Sequence, residues 1–293
     1  MKKSILYAAR IKGDIDLGLE PTRIDNDGAQ RWAMLITPGG LLPGQTPQGV
    51  LDLSAIQKYR VGTRMSIDDR IYHYCQGDPD RILRAGYGAY SFVNYVETGV
   101  PALQADAGDY TISLTSVGVI AADAYAEGTL VISYAAGAFS TRHKIKSNTA
   151  AAAPGAVYIV TVYDPFIANV TVGLTVTLYQ SPWARVNCMR QEVIDLVVAR
   201  WQYVSFAGVP NRQITAANWF WLQTWGPCPC ILSGGNEGAI INDRDMHFDT
   251  NGAIMHQSYA AADHYQRAGY MLPEGSGGNQ PDGIGEVFLQ LAH

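Results

Sequence analysis

Along the middle of this 293-residue chain, apolar and polar positions alternate with the two-residue period of half-buried strands. Residues 109–115 form one such run, 129–134 a second, 157–163 a third and 170–179 a fourth. Turn chemistry separates them: Glu127-Gly128 before the second, Asp164-Pro165 after the third and Ser181-Pro182 after the fourth. Four runs of this kind predict a sandwich or barrel. The densest apolar stretch lies further on, at residues 218–228, with three tryptophans and a phenylalanine in seven positions. Aromatic runs closed by Gly-Pro read as strands. On a regular strand Trp219, Trp221 and Trp225 share one face, and Phe220, Leu222 and Thr224 share the other. Both faces are then apolar, as in a strand covered on both sides. Trp219, Phe220, Trp221, Leu222, Trp225 and Pro227 are the core and interface candidates.

Residues 1–60 show no clear period and carry Pro21, Pro38, Pro43 and Pro47. Such a stretch forms no long helix and leaves room only for short strands. Trp32, Leu35, Ile36, Leu41 and Leu42 are too apolar for a solvated tail, so an extended arm lying on something else is expected. Residues 71–75 read as a short strand. Residues 82–96 are compatible with a helix-like segment, weakened by Gly86 and Gly88. Residues 189–200 fit a short helix or a strand equally. Parts of 231–241 and the closing 287–291 look like strands, with a glycine-rich loop at 275–285. The expected architecture is mainly β: β-sandwich or barrel-like domains with an extended N-terminal arm and few short helices. The expected division is an arm at 1–60, a β-rich domain at 61–185 and a second β-rich subdomain at 186–293.

Composition sharpens this picture. The chain is 47% hydrophobic and 16% charged, against about a quarter charged in a typical soluble domain. Much of its surface is therefore neutral, which suits contact with other subunits. Tyr outnumbers Phe 17 to 7, and tyrosine fits half-buried strands and interfaces. Net charge is −5. The densest basic spot, residues 142–146, reads as an alternating strand or a solvated face, so no nucleic-acid role is expected. The apolar core after Met1-Lys2-Lys3 is too short for a signal peptide. No apolar run reaches about 18 residues, so no membrane role is expected. The four cysteines, Cys75, Cys188, Cys228 and Cys230, are too few for a disulfide framework and suggest reduced thiols in the cytoplasm.

Candidate chemistry is sparse. Cys228-Pro229-Cys230 has the spacing of a metal or redox pair, but zinc takes four ligands, usually as two pairs, and no second pair exists; buried packing is the favoured reading. Residues 242–252 hold the carboxylates of a calcium loop without its order or closing Glu, and read as a solvated turn. The six histidines (His73, His143, His247, His256, His264, His293) form no metal motif. No nucleophile elbow or phosphate loop is present. A carboxylate pair for glycoside chemistry stays open, because its spacing is spatial. No catalytic, cofactor-binding or metal-binding residue is assigned, and the chain is not expected to be an enzyme.

Several pieces in order carry a resemblance. They are Arg70-Ile71-Tyr72-His73-Tyr74, the alternating region running to Lys144-Ile145-Lys146-Ser147-Asn148, and the turn Val162-Tyr163-Asp164-Pro165. A threonine-rich strand into Ser181-Pro182-Trp183 follows, then residues 207–210, the string 220–227, Gly269-Tyr270-Met271 and the closing 287–291. This layout resembles tailed-bacteriophage virion structural proteins of the capsid decoration (head) protein family, over roughly residues 65–293. The string 220–227 is its most distinctive part; Cys228, Cys230 and residues 236–267 depart from it. The resemblance implies a structural protein on the capsid surface of the virion, assembled in the host cytoplasm. It brings no catalytic residues. The implied partners are the major capsid protein and further copies of the chain, as a homotrimer at a shell's three-fold positions. Two other readings remain. One is a different virion structural part, such as the major capsid protein (which would show a long spine helix) or a tail protein. The other is a virion-borne carbohydrate-binding module that stacks sugars on exposed Trp or Tyr.

Overall fold

The computed structural model describes residues 19–24, 30–35, 41–42, 44–79, 81–91, 96–134, 139–188, 205–233, 244–249, 251–256, 266–272 and 283–291. Every regular element among them is a strand. The chain divides into two compact units: Val93–Ala184, and Met1–Phe92 together with Arg185–His293. The observed division near 185 sits beside an expected one. Residues 61–91, expected to join the middle domain, instead belong to the second unit, where 71–76 pair with 219–225 and 89–91 with 186–188 and 206–208.

The inserted unit is a closed six-stranded barrel. Its strands, numbered in chain order through the whole protein, are β6 (Val96–Pro101), β7 (Thr111–Thr115), β8 (Thr129–Ser133), β9 (Ser140–Asn148), β10 (Val157–Val162) and β11 (Thr175–Tyr179). The order around the barrel is β10-β7-β6-β11-β8-β9. All four alternating runs became barrel strands. Their apolar positions, Ile112, Leu114, Leu130, Ile132, Tyr158, Val160, Val176 and Leu178, fill the interior. The buried Asn148 holds the loop before β8. Its amide donates to the Ala121 and Thr149 carbonyls at 3.0 and 2.9 Å, and its Oδ1 accepts from Tyr125 N at 2.8 Å. Closure removes every sheet edge.

The other unit contains β1 (Leu19–Ile24), β2 (Gln30–Leu35), β3 (Arg64–Ile67), β4 (Arg70–Gln76) and β5 (Ala89–Ser91). After the barrel follow β12 (Val186–Cys188), β13 (Phe206–Gly208), β14 (Trp219–Ile231), β15 (Asp245–Phe248), β16 (Ile254–His256), β17 (Arg267–Met271) and β18 (Ile284–Gln290). Nine of these form one sheet, β1-β2-β3-β4-β14-β18-β17-β15-β16, and β12-β5-β13 form a small second one. The large sheet curls. Just beyond β14, Leu232 bridges Ile254 of the last strand, and Ser233 N donates to the Ile254 carbonyl at 2.8 Å. The run from β14 to β16 thus closes around Cys228, Cys230, Met246, Phe248, Ile254, Val287 and Leu289.

The described part of the expected 1–60 arm lies on its own chain. It begins as the β1–β2 hairpin at the sheet edge and continues as a segment bridged within itself at Leu41–Tyr59 and to the sheet at Ser54–Trp219. Residues 81–91 hold β5 and no helix. The 189–200 segment, His264, His293 and most of the 275–285 loop lie outside the described residues. The buried Asp78 carboxylate fixes the return from the barrel, accepting from Arg185 Nε at 3.0 Å and Asn187 Nδ2 at 3.3 Å.

Strand β14 was expected to end at Gly226-Pro227 and instead runs on through Pro229 to Ile231. Register explains this. In its second half β14 pairs with β18, Pro227 opposite Phe288 and Pro229 opposite Glu286. Ile231, of the same parity, points its N–H away from β18, to the Gly86 carbonyl at 2.9 Å. The two prolines therefore lack an N–H only on the side where β18 does not need one. Gly226 has φ +87°, and a Cβ there would lie 2.3 Å from the Asp69 carbonyl oxygen. Gly226→Ala is expected to lower stability by about 3 kcal/mol or more, from backbone strain plus overpacking. Urea unfolding of the two proteins measures it, and a near-equal midpoint would contradict this account of the turn.

Candidate functional site

The six core and interface candidates lie on β14, the strand through which the large sheet is connected. Its first half pairs with β4, Phe220 opposite Cys75 and Trp221 opposite Tyr74. Phe220, Trp221 and Leu222 are fully buried; Trp219, Trp225 and Pro227 are half-buried. Trp221 packs with Tyr59, Met65, Tyr72 and Tyr74. Its ring centroid lies 4.9 Å from that of Tyr59 and 5.0 Å from that of Tyr74, and Trp219 stacks on Tyr74 at 5.7 Å. Aromatic pairs in tilted and edge contacts add to the area they bury.

Gln48 satisfies the polar atoms of Tyr74 and Trp221 in this cluster. Tyr74 OH donates to Gln48 Oε1 at 2.9 Å, and Trp221 Nε1 donates to the Gln48 carbonyl at 3.0 Å. Gln48 Nε2 donates to the carbonyls of Asp52 and Trp219, both at 2.9 Å, and Gln48 N donates to Tyr59 OH at 3.2 Å. A buried polar group is tolerated when its hydrogen bonds are made in this way. Gln48 was not legible in the sequence; it lies in a turn-rich stretch with no periodic signal.

The three tryptophans do not share a face. Between Gln223 and Trp225 the register to β4 slips by one residue, so that Trp225 stands opposite Ile71 while Trp221 stands opposite Tyr74. A β-bulge of this kind reverses side-chain parity beyond it. Trp225 therefore joins the side opposite Trp219 and Trp221, edge-on to Phe288 at 5.7 Å. Phe288 stacks on Tyr270 at 5.1 Å, and Pro227 lies opposite Phe288. Gln223, itself fully buried, holds the bulge. Its Nε2 donates to the carbonyls of Trp225, Gly226 and Pro227 at 3.1, 3.4 and 2.8 Å, and its Oε1 accepts from Asn211 Nδ2 at 2.7 Å. A glutamine inside an aromatic run was the available signal for this kink.

The titratable groups nearby are held neutral. Burial, reinforced by the Arg64 charge, pushes His73 down to about 4; its Nδ1 lies 3.3 Å from Thr224 Oγ1. Burial pushes up the Tyr72 and Tyr74 hydroxyls. Cys75 is pushed well up by burial, and Cys230 by its hydrogen bond with the Cys228 thiol and then by burial. Cys75, Cys228 and Cys230 are free, buried thiols, with Cys228 Sγ 3.4 Å from Asn211 Oδ1. A neutral buried thiol is a poor nucleophile and a poor metal ligand. The calcium-like run is strand at Asp245–Phe248 and turns after it, Gly252 N donating to the Asp249 carbonyl at 2.9 Å. Asp245 pairs with Arg267 at 2.6 Å, and Asp249 accepts from Ser233 at 3.0 Å. Among the described residues no group of three or more His, Cys, Asp or Glu could hold a metal ion, and no helix is long and apolar enough to cross a membrane.

The barrel offers a second kind of site, a surface. Strands β7, β8, β10 and β11 contain no Asp, Glu, Lys or Arg. Val100, Thr115 and Val157 stand side by side across β6, β7 and β10, and most large apolar residues exposed among the described residues lie on this unit. Its only cations, Arg142, Lys144 and Lys146, alternate on the outside of β9. Comparison with protein-family models, curated proteins and solved structures finds no match for the chain.

Trp221→Ala is expected to cost on the order of 3–5 kcal/mol, and Trp225→Ala roughly half of that in keeping with its partial burial. Denaturant unfolding ranks the two; equal losses would show that the bulge does not separate their environments. His73 generates a pH dependence. The fold favours its neutral form, so its contribution is complete above the unfolded value near 6.5 and is lost as pH falls towards about 4. Between pH 7.5 and 4.5 the native protein is expected to lose about 2–3 kcal/mol more stability than His73→Gln. Parallel pH profiles for the two would refute a neutral His73.

Proposed function

We propose that this chain is a non-enzymatic structural component of a bacteriophage virion: a capsid decoration protein that binds the major capsid protein on the outer surface of the head and stabilises the lattice. The observation that carries this reading is the uncharged exterior of four of the barrel's six strands, which have no Asp, Glu, Lys or Arg. Covering such a surface with neighbouring subunits desolvates few ions, and exposed Val and Ile reward the burial. A lattice supplies those neighbours in many copies, and a trimer matches its local three-fold positions. The absence of a helix among the described residues favours decoration over a major capsid protein with a spine helix. The sugar-binding reading gains half-exposed Trp225 and Tyr270. Against it, the stacking of Tyr270 on Phe288 covers one face of the tyrosine ring.

Quantitative mass spectrometry of particles of the encoding phage tests the proposal. The expected result is a copy number commensurate with the lattice subunits, with density on the shell surface by electron microscopy. A handful of copies per particle would assign the chain to the tail, and absence from particles would remove the virion reading.

A further inference from the structure

One histidine is enclosed by the barrel. His143, 4% exposed, lies on the inward side of β9 with Ile145, while Arg142 and Lys144 alternate outward. Across the ladder it stands opposite Leu130 of β8. Its ring is edge-on to Phe166 at 5.1 Å, and its Nε2 lies 3.1 Å from Thr141 Oγ1. Phe166 is itself buried and anchors the loop 163–174. Its N–H donates to the Asp109 carbonyl at 2.9 Å, and its carbonyl accepts from Gly108 N at 2.8 Å. Ala105 and Val170 exchange two more bonds at 2.8 and 3.1 Å, and Ala107 N donates to Asn169 Oδ1 at 2.9 Å. The loops 102–110 and 163–174 are thus held together and pinned to the barrel interior through Phe166, and Phe166 packs on an imidazole.

Imidazole is the side chain whose charge changes within the ordinary pH range. Burial holds His143 below the usual 6.5, and the carbonyl and carboxylate of Asp164 offset this in part. The other charged groups on the elements around it are engaged or turned away. Glu127 accepts from Tyr163 OH at 2.5 Å and lies 3.7 Å from Lys144. Asp109 Oδ2 accepts from Asp106 N at 2.9 Å, and Asp106 Oδ1 from Gln104 Nε2 at 2.7 Å. Strands β7, β8, β10 and β11 contribute no Asp, Glu, Lys or Arg. Glu97 of β6 holds a position in the same ladder row, which runs His143, Leu130, Leu178, Glu97. A proton on His143 therefore places a cation beside Leu130 and Phe166, with the Asp164 carboxylate as its counter-charge.

We propose that His143 is an acid-operated latch: on taking up a proton it drives Phe166 out of the barrel interior, and the loop 163–174 parts from the loop 102–110 while the strands stay paired. The closed barrel favours the neutral ring, so closure is complete above the usual 6.5 and is lost as pH falls below it. The ladder runs right round the barrel and has no edge from which to peel. Loops held by a few bonds open at lower cost than paired strands, so the charge is relieved there first. The latch belongs to the barrel alone and operates whether or not the chain rides on a phage shell.

Hydrogen exchange on the full chain tests it, corrected for the intrinsic effect of pH and read by mass spectrometry on peptides covering 102–110 and 163–174. Between pH 7.5 and 4.5 exchange in both loops is expected to rise at least about tenfold, while β7 and β10 change little. Peptides of β4 report the separate titration of His73. In His143→Gln the rise is expected to vanish. Asp164→Asn, at an exposed position, keeps the imidazole and removes its counter-charge, so the loops are expected to open only at lower pH. Loops equally protected at both pH values in the wild type would overturn the proposal, as would an undiminished rise in His143→Gln. Were Asp164 itself the trigger, Asp164→Asn would already be open at pH 7.5. A rise lost in Glu97→Gln with His143 intact would place the trigger on β6. Either of these results also overturns the latch.

Discussion

Between Gln223 and Trp225, strand β14 changes its hydrogen-bonding partner from β4 on one edge to β18 on the other, and the connection between the two halves of the large sheet passes through those few residues. A bulge at that point exposes carbonyls that no ladder can use. The Gln223 amide takes three of them, and Asn211 holds its other end. Gly226 supplies the backbone conformation, and the prolines that follow keep their missing donors on the side away from β18. Remove the side-chain amide and the bulge is left with unpaired buried carbonyls, each a penalty of about 1–3 kcal/mol. The wing built on Trp221 and the curled sheet lined by Cys228 and Val287 are joined by that one satisfied kink.

The interior around this strand is polar in places but is kept free of net charge. His73, Tyr74 and Cys75 follow one another on β4, all three buried and all held in their neutral forms. Their sequence neighbourhood would suit acid–base or thiol chemistry if water reached it. Burial instead makes them packing groups with a hydrogen-bonding handle. The buried carboxylate of Asp78 is matched by the Arg185 guanidinium where the chain comes back from the barrel. On the barrel the same economy appears at the surface: its Lys and Arg are confined to β9, and β7, β8, β10 and β11 present hydroxyls and methyls.

Much of the barrel was legible because each of its alternating runs is a local signal. The period of two in residues 111–115, 129–133, 157–162 and 175–179 is the direct imprint of one wet and one dry face. β6 was not legible, since Glu97, Gly99 and Pro101 interrupt any pattern, and its strand character comes from neighbours far along the chain. Closure into a barrel rather than a sandwich is likewise set by register between distant strands. Around the aromatic string, burial on both faces could be read from composition. The bulge could not, because parity counting assumes a regular strand, and one inserted residue sends Trp225 to the other side. Gln48 escaped notice for a different reason: its role depends on a cluster assembled from residues up to 173 positions away.

Val96 and Tyr179, the first and last paired residues of the barrel, stand directly across from each other. A single tight linker could therefore span the gap that the whole inserted unit now fills. Seen in this light the barrel is a removable cassette. It could be lost, enlarged or traded for another module without rethreading the sheet, and a reporter or binding domain with adjacent termini could be spliced into the same place.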